Sequence, residues 1–370
     1  MSGECPSAGS GRLFGSASIK ECFLKIVHLL WGLTTGGIEN MLVDIVNVHV
    51  NENDVSLIII NDMIDESVRN RLDPRVKVFE CKRKRESKNP WPLLKMNLLL
   101  IKLKPQIVHV HYDGIVKFVL GKWNVVRTIH GMRNSVDESV HCKACYAISK
   151  SVQDEWIQQG HETILVENGV CCDKICSERK SAVSDTLHLI QVSRMYFHHK
   201  GQDILIRALA DVKKRGTLSK NIQMHFVGDG CDMERAKQLV QELGVEDIVV
   251  FEGSMPREWV YENLCNFDLY IQPSRQEGFG LTVAEAMAAK VPVLVSALEG
   301  PMEILNPDGF DTPLGWSFDP ESVEDLSRKI EKFVNKGYDN GLTDKAYAYI
   351  RSRYDIKNTA ERYVEEYAKF

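Results

Sequence analysis

Short apolar runs alternate with segments of helical periodicity along most of the chain. In the first half the runs include "LKIVHLL", "VSLIII" and "IVHVH", and helical patterns such as "GIENMLVDIVNVHV" lie between them. This alternation is typical of parallel sheets, in which both faces of each strand are buried and a helix connects one strand to the next. The pattern therefore predicts an α/β fold.

A polar segment at residues 169–186, "GVCCDKICSERKSAVSDT", interrupts this alternation, which then begins again. The runs "LHLIQVS", "IQMHFVG", "LYIQPS" and "VPVLVS" predict strands of a second sheet, and the chain looks helical from about Pro320 onward. Two doubly wound units in succession can place the carboxyl ends of their strands on opposite sides of a cleft, which is where open α/β sheets bind ligands.

The domain organisation follows from these patterns. We predict a flexible Ser/Gly-rich leader at residues 1–21, a first Rossmann-like domain at 22–170, a second at 171–354 and a final helix at 355–370. The leader has no apolar centre and therefore does not resemble a signal peptide, and the apolar runs are too short to span a bilayer. We therefore expect a cytoplasmic location.

Composition narrows the class of protein. The chain has 370 residues, of which 44% are hydrophobic and 26% are charged, as in soluble globular proteins. The formal net charge of −5 gives no sign of nucleic-acid binding. The ten cysteines form no regular framework, so we expect reduced thiols rather than disulfides or a zinc site.

Two histidines are candidate metal ligands. His109 and His111, in "VHVHYDG", are two residues apart on a predicted strand and therefore lie on one face of the sheet. No third ligand lies nearby in the sequence, so we favour two other roles, lining the cleft or hydrogen bonding to loop backbone, and predict no metal site.

Cations follow the first strand of the second unit. Arg194 and Lys200, in "VSRMYFHHKGQDIL", flank a predicted strand-to-helix turn, an arrangement that suits a diphosphate. A solvated loop is the simpler alternative. Gly228 ends the next strand in "FVGDG", where the lack of a side chain would allow a ligand to approach the backbone closely.

Two carboxylates stand around a glycine-rich helix start, in "RQEGFGLTVAEAMAAKVPVLVS". Glu277 precedes the glycines, and Glu285 lies inside the helix that begins at Leu281. The acids could simply favour the helix dipole. Because they would repel a phosphate bound at the helix start, we favour a second role, in which they accept hydrogen bonds from neutral hydroxyl groups. A nucleotide sugar supplies both phosphates and hydroxyls.

The run "EGFGLTVAEAMAAKVPVLVS", with two glutamates separated by seven residues, resembles the signature of the family 4 glycosyltransferases. These are retaining enzymes of the GT-B fold, in which two Rossmann-like domains face each other across a cleft. The segments "GLTTGGIE", "ILVENGV", "VSRMYFHHKG" and "FVGDG" also match that family in order, and the resemblance covers most of residues 24–365. It implies an acceptor domain first, a donor domain second, and a last helix that returns to the first domain.

The resemblance also implies roles for residues of the second domain. Glu285 would bind the ribose of the nucleotide, and Glu277 would bind hydroxyls of the donor sugar. Arg194 and Lys200 would neutralise the diphosphate leaving group, and Gly228 would lie in the donor site. The backbone that would line the sugar and phosphates is that of Gly278, Phe279, Gly280 and Leu281.

The first domain would contribute a loop and a histidine. Gly36 and Gly37 would let their loop approach the diphosphate from the opposite side. His130 occupies the family's strand-end histidine position near the reacting face of the sugar; in many relatives an aspartate follows, whereas here Gly131 does. The resemblance thus implies four catalytic residues, namely His130, Arg194, Lys200 and Glu277.

The predicted function is transfer of a sugar, with retention, from a UDP-, GDP- or ADP-sugar to a saccharide or lipid-linked acceptor in bacterial surface polysaccharide or glycolipid synthesis. No D-x-D triplet occurs in the sequence, so we expect no metal requirement and no cofactor. Two alternatives stay open: a non-catalytic subunit that binds a sugar nucleotide, and a UDP-sugar 2-epimerase on the same fold.

A basic segment points to a possible surface for the acceptor. Residues 81–104, "CKRKRESKNPWPLLKMNLLLIKLK", hold eight Lys/Arg against one Glu, with Trp91 and aliphatic residues between them. A helix of this kind can bind an anionic membrane surface. The alternative is an ordinary helix with a solvated basic face. Peripheral attachment at residues 82–104 is the hypothesis we carry forward.

Overall fold

The computed structural model of the protein describes residues 23–131, 141–180 and 184–370. The predicted leader at residues 1–21 lies outside the described residues.

The first half of the described chain forms a parallel sheet with helices on both faces. Its strands are β1 (Lys25–Leu30), β2 (Asp54–Asn61), β3 (Lys77–Arg83), β4 (Ile107–Val110), β5 (Val125–Ile129), β6 (Ala144–Ala147) and β7 (Ile164–Leu165), in the spatial order 3-2-1-4-5-6-7. Its helices are α1 (Gly37–His49), α2 (Glu66–Arg69), α3 (Trp91–Leu103) and α4 (Lys150–Gln158).

The second half repeats the arrangement. Its strands are β8 (Thr186–Val192), β9 (Asn221–Val227), β10 (Val249–Gly253), β11 (Leu269–Gln272), β12 (Val293–Ser296) and β13 (Trp316–Phe318), in the order 10-9-8-11-12-13. Its helices are α5 (Phe197–Lys200), α6 (Gln202–Arg215), α7 (Met233–Leu243), α8 (Arg257–Asn263), α9 (Leu281–Ala288), α10 (Glu299–Leu305), α11 (Val323–Lys336) and α12 (Asn340–Arg353), and they are followed by α13 (Ile356–Tyr367).

Both sheets reverse their strand order beside their first strand. β1 pairs with β2 on one side and β4 on the other, and β8 pairs with β9 and β11 in the same way. Loops that leave the carboxyl ends of such neighbours diverge to opposite faces of the sheet, and the divergence opens a crevice for a ligand. The predicted α/β fold with two parallel sheets is confirmed.

The runs predicted as strands all form strands, the helical pattern "GIENMLVDIVNVHV" forms α1, and the chain after Pro320 forms α11, α12 and α13. The sequence analysis did not predict β13, α5 or α10. These three elements are short, and a segment of three to seven residues is too short to show a period.

The last helix lies against the first sheet. Helix α13 packs on α1, and Ile356, Tyr363 and Tyr367 share a buried cluster with Ile26 of β1 and other residues of the first half. A backbone bridge between Val170 and Asp355 joins the start of this helix to the segment that connects the two sheets. The two halves are therefore tied together by the return of the chain as well as by the connecting segment.

Within the part of the chain that the structure describes, no helix is both long and apolar enough to cross a membrane.

Tyr363→Ala tests how far α13 stabilises the first half. The Tyr363 ring is 1% exposed, and its hydroxyl lies 2.8 Å from Thr128 Oγ1. Removing a buried aromatic ring leaves a cavity, so we expect the free energy of unfolding to fall by about 3 kcal/mol. Denaturant titration measures this. Glu361→Ala, at an exposed position of the same helix, is the control. An equal, small effect of both substitutions would contradict the packing role of α13.

Candidate functional site

The carboxyl ends of the two sheets enclose a cleft with a volume of about 510 Å³. It is lined by every residue that the sequence analysis placed in a donor or catalytic site. These are Gly36, Gly37, His130, Arg194, Lys200, Gly228, Glu277, Gly278, Phe279, Gly280, Leu281 and Glu285. The structure therefore brings together residues that are up to 249 positions apart in the sequence, from Gly36 to Glu285.

Glu277 and Lys200 form an ion pair in the cleft. Lys200, the last residue of α5, donates from Nζ to Glu277 Oε2 over 2.8 Å. Gln272, at the end of β11, donates to the same oxygen over 3.0 Å. From the sequence we expected Lys200 to bind the diphosphate and Glu277 to bind the sugar, with no contact between the two side chains. Their direct pairing was not foreseen, and it fixes the orientation of the carboxylate.

Glu285 is held by a second set of donors. The Glu285 side chain is buried inside α9, where Oε1 accepts from Arg257 Nη2 at 3.1 Å and from the Tyr261 hydroxyl at 3.2 Å. Burial raises the pKa of Glu285, and the charge of Arg257 and the two hydrogen bonds act in the opposite direction. Arg257 is thus the group that favours the ionised form of this carboxylate.

Arg257 also reaches the first half of the chain. Its Nη1 lies 2.9 Å from Oδ2 of Asp44, a residue of α1 whose side chain is only 1% exposed. Arg71 forms ion pairs with Asp44 at 3.1 Å and, across the cleft, with Glu258 at 3.2 Å. Charged groups from both halves therefore meet beside Glu285 and hold the two walls of the cleft together.

Backbone contacts bring the two cleft walls close together. The Ser149 hydroxyl, which also caps helix α4 of the first half, donates to the Gly278 carbonyl over 2.7 Å. A Cβ added at Gly278 would lie 3.3 Å from Cα of Gly131, which follows His130. On the same wall as Gly131, a Cβ added at Gly37 would lie 3.5 Å from the side chain of Leu281.

Gly228 is required by the neighbouring loop. Its φ of 129° lies in the region that only glycine occupies readily, and a Cβ there would lie 2.0 Å from the Ser193 carbonyl oxygen. The loops after β8 and β9 can therefore pack closely. Arg194, in the first of these loops, is exposed at the cleft wall.

His130 directly follows β5 and lies on the opposite wall. Its Nε2 lies 3.4 Å from Nδ1 of His111. Burial, with a smaller effect from the charge of Arg127, lowers the pKa of His130 to about 3. The imidazole is therefore neutral at physiological pH.

Two family models match most of the chain. Residues 35–174 match the model described as Glycosyltransferase Family 4, and residues 176–353 match that of Glycosyl transferases group 1. The chain belongs to the family 4 glycosyltransferases.

Individual relatives of this glycosyltransferase-family chain are distant. Protein CapJ of Staphylococcus aureus is 25% identical over 192 residues, which are 52% of this chain and 46% of CapJ. Lipopolysaccharide 1,6-galactosyltransferase of Escherichia coli is 30% identical over 201 residues, or 51% of each chain. The chain thus spans about half the length of the curated relatives it matches.

Solved structures show the GT-B fold over a larger share of the chain. Anabaena HepE in complex with UDP-glucose superposes with a TM-score of 0.76 at 19% identity, covering 94% of this chain and 100% of HepE. A glycosyltransferase from Rickettsia africae gives a TM-score of 0.76 at 18% identity, covering 94% and 98%. The predicted fold is confirmed.

Sequence reasoning missed Arg257 and Asp44. Arg257 is the first residue of α8 and follows the loop after β10. Arg194 was identified as a cation that follows a strand, and the same reasoning would also have identified Arg257. Asp44 gave no such signal, because it lies in the middle of α1 and resembles an ordinary helix residue. His199 and Asn168 also line the cleft, although the sequence analysis gave them no role in the site.

Arg257→Met is expected to raise the pKa of Glu285. The substitution keeps much of the buried side-chain volume but removes the charge and the hydrogen bond that favour the carboxylate, so desolvation acts with less opposition. Carboxyl ¹³C NMR titration of the two proteins measures the change. Arg235→Met, which removes an exposed arginine from an ion pair with Asp232, is the control. The same pKa of Glu285 in the Arg257→Met and Arg235→Met variants would contradict the role given to Arg257.

Proposed function

We propose that the protein is a retaining glycosyltransferase that moves a sugar from a nucleotide-sugar donor to a saccharide or lipid-linked saccharide acceptor. The observation that carries this proposal is the pairing of two carboxylates with cations in one cleft between two sheets. A ligand with both anionic phosphates and neutral hydroxyls fits such an arrangement, and a nucleotide sugar is a ligand of this kind.

Each carboxylate offers one oxygen to a ligand. Among the described residues, both hydrogen bonds to Glu277 end on Oε2, and both hydrogen bonds to Glu285 end on Oε1. Oε1 of Glu277 and Oε2 of Glu285 are thus left to accept from hydroxyl groups. We assign sugar hydroxyls to Glu277 and ribose hydroxyls to Glu285, because fixed carboxylates bind neutral hydroxyls without further reorganisation.

The leaving group meets positive charge. Cleavage at the anomeric carbon leaves a nucleoside diphosphate with a new negative charge, and Arg194 and Lys200 stand on the same wall as the glycine-rich start of α9. Fixed cations and free backbone N–H groups aimed at developing charge lower the barrier by several kcal/mol in comparable sites. These groups would neutralise the charge of the leaving diphosphate, as a divalent metal ion does in other enzymes. We therefore propose a reaction that is independent of metals.

Lys200 would contact both Glu277 and the bound donor. It pairs with Glu277 in the free protein, and a bound diphosphate would share the ammonium group, which has three donors. Binding of the donor would therefore turn one ion pair into a chain from carboxylate to ammonium to phosphate. The base and sugar of the donor are not fixed by these contacts; the likeness to HepE in complex with UDP-glucose supports a uridine nucleotide.

Glu277→Gln tests the proposed reaction. The substitution keeps the shape of the side chain but removes the charge that pairs with Lys200 and orients the sugar. We expect acceptor-stimulated release of nucleotide to fall about a hundredfold. The assay uses a panel of UDP-, GDP- and ADP-sugars in the presence of EDTA.

The control is Glu234→Gln, which neutralises an exposed acid whose ion pair with Lys237 lies outside the cleft. It should leave turnover unchanged. Saturable binding of a sugar nucleotide without turnover in the native protein would instead indicate a non-catalytic binding subunit.

We further propose peripheral attachment to the inner face of an anionic membrane through α3. Four apolar side chains of this helix are exposed: Trp91 (61%), Leu94 (44%), Leu98 (52%) and Ile101 (60%). With about 100° of rotation per residue they form one stripe on the face opposite to the buried Met96 and Leu100.

Basic residues border this stripe. Lys95 and Lys102 project within about 40° of the Trp91 position on the helix surface, and Lys82, Arg83, Lys84 and Arg85 precede the helix. Apolar side chains can enter the interfacial region while the lysines contact anionic headgroups. Such a surface would bring the cleft to a lipid-linked acceptor.

Replacing Leu98 and Ile101 together by Asp tests the attachment. Two carboxylates on the stripe remove buried apolar area and repel anionic lipid, so the fraction of protein that sediments with anionic vesicles should fall severalfold. Ile157→Asp alters an isolated residue that is 51% exposed on α4 and is the control. The proposal fails if native protein does not sediment with the vesicles, or if all three proteins sediment equally.

A further inference from the structure

A row of histidines leads from the core of the first sheet to the wall of the cleft. His28 of β1 lies with Nδ1 3.0 Å from Nε2 of His111, and Nδ1 of His111 lies 3.4 Å from Nε2 of His130. His28 and His111 are 0% and 2% exposed. Of these three histidines, the family resemblance implies a catalytic role only for His130, so the purpose of the other two is open.

All three imidazoles are neutral. Burial, with a contribution from neighbouring histidines, lowers the pKa of His28 and His111 well below the ordinary value, and the pKa of His130 falls to about 3. A neutral imidazole has one N–H donor and one acceptor nitrogen. Two hydrogen bonds in series therefore allow only two proton arrangements, in which all three donors point toward the cleft or all three point away from it.

The ends of the row decide between the two arrangements. His28 Nε2 and His130 Nδ1 are buried and have no hydrogen-bond partner among the described residues. If the donors point away from the cleft, an unpaired N–H is left at His28 Nε2, in the interior of the protein. If they point toward the cleft, the unpaired N–H is at His130 Nδ1, in a residue that lines the ligand cleft.

An unpaired donor is costly in the core, whereas an unpaired acceptor lone pair is tolerated more often. His28 Nε2 is therefore the unprotonated nitrogen, and the proton of His28 lies on Nδ1. His111 then accepts on Nε2 and donates from Nδ1.

We propose that His28 and His111 hold the proton of His130 on Nδ1. His130 Nε2 is then occupied as an acceptor, so this imidazole has no free lone pair with which to act as a general base, and the N–H on Nδ1 is the group that it has left to donate. His28 and His111 are positioning residues that act through His130. The tautomer follows from the histidine row itself, and only its effect on turnover rests on the proposed function.

The same region raises the question of a metal, because nitrogens of His28, His109 and His111 all lie within 4.8 Å of one another. No third ligand was evident in the sequence near His109 and His111, and in the structure His28 is the third histidine of the group. Five of the six ring nitrogens already have hydrogen-bond partners, however, and the exception is His28 Nε2. His109 contacts the Tyr367 hydroxyl at 2.5 Å and Thr128 Oγ1 at 2.7 Å, and His28 bonds directly to His111. These partners fit hydrogen bonding between neutral side chains.

The test is the tautomer of His130, read from ¹H–¹⁵N correlations of protein labelled with ¹⁵N-histidine at neutral pH and assigned with a His130→Gln variant. We expect a proton on Nδ1 of His130. A proton on Nε2 would overturn the proposal, and so would one equivalent of bound zinc that is lost on substitution of His109. Neither readout depends on activity, so failure here is separable from failure of the proposed reaction.

Two variants of His28 test the influence of the core. His28→Leu removes the donor to His111, so His130 should become a mixture of tautomers and turnover should fall about tenfold, the size of one hydrogen bond, with KM little changed. His28→Asn keeps a donor near the Nδ1 position and should keep both the tautomer and the turnover.

His188→Leu is the matched control, because His188 also bonds a histidine, His225, over 3.0 Å, but does so in the second sheet. It should change neither readout. An unchanged His130 tautomer in the His28→Leu variant would show that His28 does not determine the tautomer of His130. If that variant fails to fold, the tautomer in the native protein and in the His28→Asn variant still decides the matter.

Discussion

The ion pairs of Arg257 are the interaction on which the cleft depends. This guanidinium lies between Asp44 of one half and Glu285 of the other, and both carboxylates are almost fully buried. Buried charges cost several kcal/mol each unless they are paired. Arg257 is a partner of both acids, and Asp44 pairs with Arg71 as well. Since the partners come from different halves of the chain, the pairing that opposes the rise in the pKa of Glu285 also holds the two halves together.

This coupling gives the two sheets a shared electrostatic role. Parallel strands place their loops at one edge, and the chain uses those loops to present glycines where backbones must meet and charged side chains where a ligand must be held. The hydrogen bond from Ser149 to Gly278 shows how tightly the edges approach.

The two sheets and many of the residues that line the cleft were predicted from the sequence. Runs of buried strand residues gave both sheets, and the spacing between Glu277 and Glu285 selected the helix start that lines the cleft. The positions of these residues were predicted correctly where position depends on local geometry, because a residue that follows a strand must lie at the sheet edge. It failed for the contact of Asp44 with Arg257, which are 213 positions apart, because that contact depends on how two finished sheets dock. The place of His28 beside His111 was missed for a related reason. Their register is set by the pairing of β1 with β4, which periodicity does not reveal.

The central claim is that the cleft holds an activated sugar with its anionic part against the cations of the second half. A crystal structure of the protein soaked with a nucleotide sugar tests this most directly. The account predicts density for the diphosphate within hydrogen-bonding distance of Arg194 and Lys200, ribose hydroxyls on Glu285 and the sugar on Glu277. A nucleotide sugar bound elsewhere on the molecule, or bound in the cleft with its phosphates turned away from both cations, would contradict it.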